Sequence, residues 1–200
     1  MNTVSIRSAS LLAGFSLALM AVIAPLGVMV ALPSGATGVA AIVVLFVSAL
    51  DVLIAVALYP VLRQAGTLLA GCACALRLAY GAVFATAAGF LVSTPDVERF
   101  QAIWDAGLFI FGTHLLLVGI AVVRIFDMPT WMGMLVAIAG LGYLIDAVSV
   151  ALNPATSISI GEFAFIGEVI LLIWLLGWGG RTTSSETAQG RISPRSTVKA

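Results

Sequence analysis

Five ionisable side chains stand inside long apolar stretches of this 200-residue chain: Asp51, Arg77, His114, Asp146 and Glu168. Two tyrosines, Tyr80 and Tyr143, lie at similar depth and can donate hydrogen bonds to them. An ionisable group at the centre of a bilayer costs at least about 2.5–3.5 kcal/mol unless it is paired or hydrated. Such residues therefore mark either a paired network that fixes helix register or a working site. Three acids against one permanent cation leave a surplus, so at least one carboxylate must shed its charge or face water. A surplus acid beside His114, the only histidine, is the composition of a proton relay or a polar ligand pocket. On depth, Glu168 is the expected partner of His114, followed by Asp51 and then Asp146. Arg77 is expected to face the bundle and approach Asp51, Glu168 or Asp146, because a guanidinium facing lipid is too costly. Asp105 and Glu162 lie nearer the ends of their stretches.

Several sharper chemistries lack their residues. A retinal Schiff base needs an intramembrane lysine, and the one lysine is Lys199 in a polar tail. A three-histidine zinc site needs histidines this chain lacks. Neither a Gly-x-Ser-x-Gly elbow nor a phosphate-cradling Gly-Lys-Thr loop is present. No cofactor or metal is implied. Cys72 and Cys74 form a Cys-x-Cys pair in an apolar run; two residues apart on a helix they point to different faces, so both are read as packing residues.

The elements that must position these groups follow from composition. Hydrophobic residues make up 62% of the chain and charged residues 9%, against roughly 25% charged in an average soluble domain. Mean hydropathy is +1.17, which excludes a soluble reading. The formal net charge is zero, so no basic surface for nucleic acid is implied, and the lipid bilayer is the expected partner. Roughly 20 apolar residues cross the hydrocarbon core as a helix. The hydropathy pattern predicts an all-α, six-transmembrane-helix bundle spanning residues 11–32, 38–62, 67–92, 104–124, 129–152 and 157–178, with a flexible Ser/Thr-rich tail over 181–200. The first run is too long for the core of a signal peptide and carries Pro25 near its middle, which predicts a retained, kinked helix. Breaks fall at Pro33-Ser34-Gly35, Arg63 to Gly66, Ser93 to Arg99, Asp127-Met128-Pro129 and Asn153-Pro154.

Six spans put both termini on one side, and Lys and Arg decide which side, because they are retained in the cytoplasm. Arg7, Arg63, Arg124, Arg181, Arg191, Arg195 and Lys199 fall on one side and Arg99 on the other. The expectation is a multi-pass protein of the cell membrane with both termini cytoplasmic. Small residues share a face with each ionisable group: Gly81, Ala85 and Gly89 with Arg77, Gly107 with His114, Ala139 and Gly142 with Asp146, Gly161 with Glu168. Such faces let backbones approach in lipid and are expected to point inward. Trp104, Trp131, Trp174 and Trp178 read as interface anchors or packing residues.

The central hairpin carries a family resemblance. Gly107-Leu108-Phe109, Gly112, His114-Leu115-Leu116, Gly119, Arg124 and the Pro129-x-Trp131-x-Gly133 turn resemble the hairpin of the bacterial integral membrane proteins grouped as domain of unknown function 4386. The run from Ala139 to Asp146 resembles the fifth-helix signature of that family, and Glu168 with Trp174-Leu175-Leu176-Gly177 its closing helix. Weaker similarity reaches back through Arg77-Leu78 to Ala57-Leu58-Tyr59, whereas Pro60 and the tail are peculiar to this chain. The resemblance implies six helices and a membrane location and supplies no reaction. Three functions stay open: a non-enzymatic protein binding a small ligand, lipid head group or proton at the polar cluster; an intramembrane enzyme acting on a lipid or isoprenoid, with His114 and a carboxylate as acid and base; and a structural partner subunit.

Overall fold

A computed structural model describes residues 5–93, 95–152 and 161–181. Helix α1 spans Ile6–Pro25, capped by Ser5, whose hydroxyl accepts from the Ser8 amide at 3.1 Å. Pro25 has no amide hydrogen to give to the preceding turn. Beyond it the chain widens into a π-helical segment, Leu26–Ala31, where the Leu32 amide reaches back five residues to the Gly27 carbonyl at 3.0 Å. The kink anticipated at Pro25 is thus a change of helical pitch.

Helix α2 covers Thr37–Leu62 and ends in a 3₁₀ turn, Arg63–Ala65. Gly66, at φ +128°, then reverses the chain in a conformation that a side chain would resist. Helix α3 covers Thr67–Ser93, α4 Val97–Arg124, α5 Thr130–Leu152 and α6 Gly161–Gly177. Helix α4 begins at Val97 rather than near Trp104, because the Asp96 carboxylate caps it by accepting from the Arg99 amide at 3.0 Å. Hydropathy marks where sequence becomes apolar; the cap marks where the helix starts. The expected tail and the Asn153-Pro154 break lie outside the described residues, apart from Arg181.

Among the described residues, five helices are long and apolar enough to cross a membrane, and α6 is a shorter apolar helix. The arrangement is all-helical and fits a six-helix bundle and a multi-pass membrane protein. Large apolar side chains such as Phe15, Ile42, Val56, Ile138 and Ile173 face outward, while Asp51, Arg77 and His114 are buried within. This is the inversion expected where the solvent is hydrocarbon.

Each helix packs against the next in sequence, and α6 returns to α1, so the six form a ring. The tightest seam joins α4 to α5. A Cβ on Gly119 would stand 2.6 Å from the Gly133 carbonyl oxygen, and one on Gly140 2.6 Å from that of Gly112, so the backbones touch. Gly81 likewise faces Asp51 on α2, and Gly107 faces Phe84 on α3. Gly89 meets nothing within 4 Å and is exposed, so the small-residue face of α3 is not inward along its whole length.

The ring is closed by Arg7. Its guanidinium donates to the carbonyls of Gly179 at 2.9 Å, Leu176 at 2.8 Å and Leu175 at 3.4 Å, satisfying the C-terminal end of α6. Gly14 packs against Leu176 and Gly179 against Ser10 at this end. The contacts between α1 and α6 named by these residues all lie at the start of α1.

Candidate functional site

Two polar regions occupy the interior of the ring. The first joins α2, α3 and α4. Asp51, Arg77 and His114 are 0%, 1% and 1% exposed. Arg77 Nη2 lies 2.8 Å from Asp51 Oδ1, as an ion pair rather than a well-aligned hydrogen bond. Arg77 Nη1 lies 3.2 Å from His114 Nε2. A guanidinium can only donate, so Nε2 is the acceptor and the imidazole proton sits on Nδ1. That Nδ1–H points at the Ala73 carbonyl oxygen, 2.7 Å away on α3. The imidazole is therefore held in one neutral tautomer by both of its nitrogens. Gly81 allows this, because a Cβ there would lie 3.2 Å from Asp51 Cβ and push α2 away.

Two expectations about this group resolve differently. Arg77 does meet an acid, Asp51, of the three allowed. His114 does not pair with Glu168, Asp51 or Asp146; its partners are Arg77 and a backbone carbonyl. The reason is rotational: helix depth places His114 level with Glu168, but the His114 face of α4 turns toward α3, whereas Glu168 enters from α6.

The second region is a cavity of about 1000 Å³ bounded by α1, Tyr80 of α3, α4, α5 and α6. Its polar lining comes from Gln101, Asp105, Tyr143, Asp146 and Glu168, and no lysine, arginine or histidine is among its lining residues. The Tyr143 hydroxyl donates to Glu168 Oε1 at 3.4 Å, and Gln101 Nε2 to Asp105 Oδ1 at 2.9 Å. The wall on the α1 side runs from Leu17 to Met29 and includes Pro25 at the end of α1 and Val28 and Met29 of the widened stretch. With Arg7 holding α1 to α6 at one end, this bowed stretch and the start of α4 define the opposite end, where the cavity lies. Polar side chains and space for a ligand thus coincide inside an apolar shell, the usual anatomy of a small-molecule site.

Phe111 touches both regions, and Arg77 also reaches the cavity wall, with Nη2 3.7 Å from Met20 Sδ. The Phe111 ring stacks on Tyr80 at 4.6 Å and meets Tyr143 edge-on at 5.2 Å. It also lies 5.9 Å from the His114 ring and 5.6 Å from the Arg77 guanidinium. The seven residues singled out from sequence thus divide: Asp51, Arg77 and His114 on the network side, and Tyr80, Tyr143, Asp146 and Glu168 on the cavity side. Sequence reasoning passed over Phe111 and Gln101, and treated Trp104 as an anchor or packing residue, although it lines the cavity and stacks on Phe84 at 3.7 Å. Their signals were the i, i+3 step from Phe111 to His114 and the i, i+4 step from Gln101 to Asp105. Cys74 is buried, but Cys72 is exposed, so only one of the pair packs.

Residues 95–179, which contain every carboxylate of the cavity, match the family model described as domain of unknown function (DUF4386). The chain is also similar to an uncharacterized protein of Archaeoglobus fulgidus, 38% identical over 127 residues that cover 64% of this chain and 75% of the relative. No solved structure matches the chain. The shared hairpin and closing helix, together with that similarity, establish that the chain belongs to the DUF4386 family.

Proposed function

We propose that this protein is a non-enzymatic component of the cell membrane that binds a small ligand or lipid head group in the interhelical cavity. The observation that carries the reading is the cavity itself: about 1000 Å³ of space against six polar side chains, Tyr80 included. The acid–base enzyme reading loses support, because His114 has no carboxylate partner and protonating its Nε2 would set two cations in contact. The distribution of Arg7, Arg63, Arg124 and Arg181 against Arg99 supports cytoplasmic termini, which puts the cavity in the outer half of the membrane.

The test is accessibility. In a Cys72→Ser, Cys74→Ala background, Val150→Cys and Leu108→Cys place single thiols on the cavity wall. Methyl methanethiosulfonate added to the purified full chain should label both. A second substitution, Ala24→Phe, which fills space on the α1 wall, should slow labelling. Protection of both thiols, with the chain still folded by thermal unfolding, overturns the reading.

A further inference from the structure

The chemistry of the lining says what the cavity takes, on the reading that it is a ligand site. Asp105, Asp146 and Glu168 line it, and none of its lining residues is basic. The Arg77 guanidinium touches the cavity wall at Met20 Sδ, 3.7 Å away, but its charge is already matched by Asp51 at 2.8 Å. An anion entering this space would meet acidic lining residues and no basic one among those described, a cost that no hydrogen bond from Tyr143 or Gln101 offsets. A neutral polar ligand would find acceptors in excess of donors. Five aromatic side chains, Tyr80, Trp104, Phe111, Tyr143 and Phe165, also line the cavity. Aromatic faces attract ammonium groups, most strongly where water is displaced. The remaining wall is the apolar stretch from Leu17 to Met29, which suits a hydrocarbon body.

We infer that the cavity binds an amphipathic organic cation, with its ammonium group among Asp146, Glu168 and the aromatic faces and its apolar part along α1. The acids alone would not carry this; the volume of about 1000 Å³ and the aromatic lining supply the rest. The same chemistry is offered by a free alkylamine and by an amine-bearing lipid head group.

Both arise in one experiment using the Val150→Cys chain described above. The purified protein is labelled with methyl methanethiosulfonate in the presence of tetraethylammonium, its neutral isostere tetraethylmethane as far as solubility permits, or ethanesulfonate. Tetraethylammonium should slow labelling saturably, and the other two should not. Glu168→Gln and Asp146→Asn should each raise the concentration needed by about tenfold, the loss expected for one charged partner. For the lipid source, the protein is reconstituted in phosphatidylcholine vesicles with and without phosphatidylethanolamine; slower labelling with the latter assigns the head group, and protection by tetraethylammonium alone assigns a free amine. Equal protection by the neutral compound or by ethanesulfonate overturns the cation assignment and leaves the ligand site standing. A thiol that never reacts removes both.

Discussion

The two polar regions inside the ring use the same residue types to opposite ends. In the Asp51–Arg77–His114 network one cation meets one anion, and the histidine fills a remaining face of the guanidinium without adding charge. In the cavity, Glu168 accepts from a tyrosine hydroxyl and Asp105 from an amide, and open space lies beside them. Buried groups whose opposite charges are paired hold helix positions; polar groups that line a void can meet something that is not protein. The contrast teaches that intramembrane charge is not by itself a sign of function. What separates the two cases is whether the acid opposes a cation across a helix seam or lines a cavity.

The contrast can be broken most decisively at Arg77. Replacing it with Met leaves Asp51 as an uncompensated buried carboxylate, and removing one partner of such a pair costs about 3–5 kcal/mol. Thermal unfolding of Arg77→Met should show that loss, and the double variant Asp51→Leu with Arg77→Met should recover most of it. A single variant as stable as the parent would mean that the network does not hold the helices. A smaller effect is expected at His114. His114→Leu removes the acceptor from Arg77 Nη1, a loss of about 1–3 kcal/mol, and should leave thiol labelling at Val150→Cys unchanged. Loss of labelling without loss of stability would instead place His114 with the cavity. The smallest effect on stability belongs to Glu168→Gln. An amide still accepts from the Tyr143 hydroxyl, and the long 3.4 Å bond contributes little, so unfolding should shift by less than about 1 kcal/mol while cation protection falls. A large destabilisation there would make Glu168 a second structural pair and erase the distinction.

The fold was legible because hydropathy over some twenty residues reports a helix in lipid almost without regard to detail. Residues such as Pro33, Gly35 and Pro129 marked turns by their own backbone restrictions. The start of α4 was hidden because Asp96 and Arg99 read as loop until the cap is seen, and the π-helical stretch because Pro25 announces a disruption but not its form. The pairing of Arg77 with Asp51 could be narrowed to three acids by cost alone. Which acid it meets depends on how far α2 and α3 rotate about each other, and Gly81 sets that contact in a way no periodicity encodes. The split between network and cavity was out of reach for the same reason. Depth along a helix is one coordinate, whereas a site needs the azimuth as well, and Phe111 reads in sequence as one more apolar residue.

The Arg7 clamp has a consequence for biogenesis. Its three acceptors lie at Leu175, Leu176 and Gly179, so α1 is tied to a helix synthesised about 170 residues later. Helices α2 to α5 can assemble pairwise as they are inserted, through neighbours in sequence. The α1–α6 seam must wait until translation has passed Gly179, and until then Arg7 has only water or lipid phosphate to satisfy it. Closure of the cavity wall between α1 and α6 therefore follows the synthesis of α6, and a chain interrupted before α6 would leave the cavity open on that side.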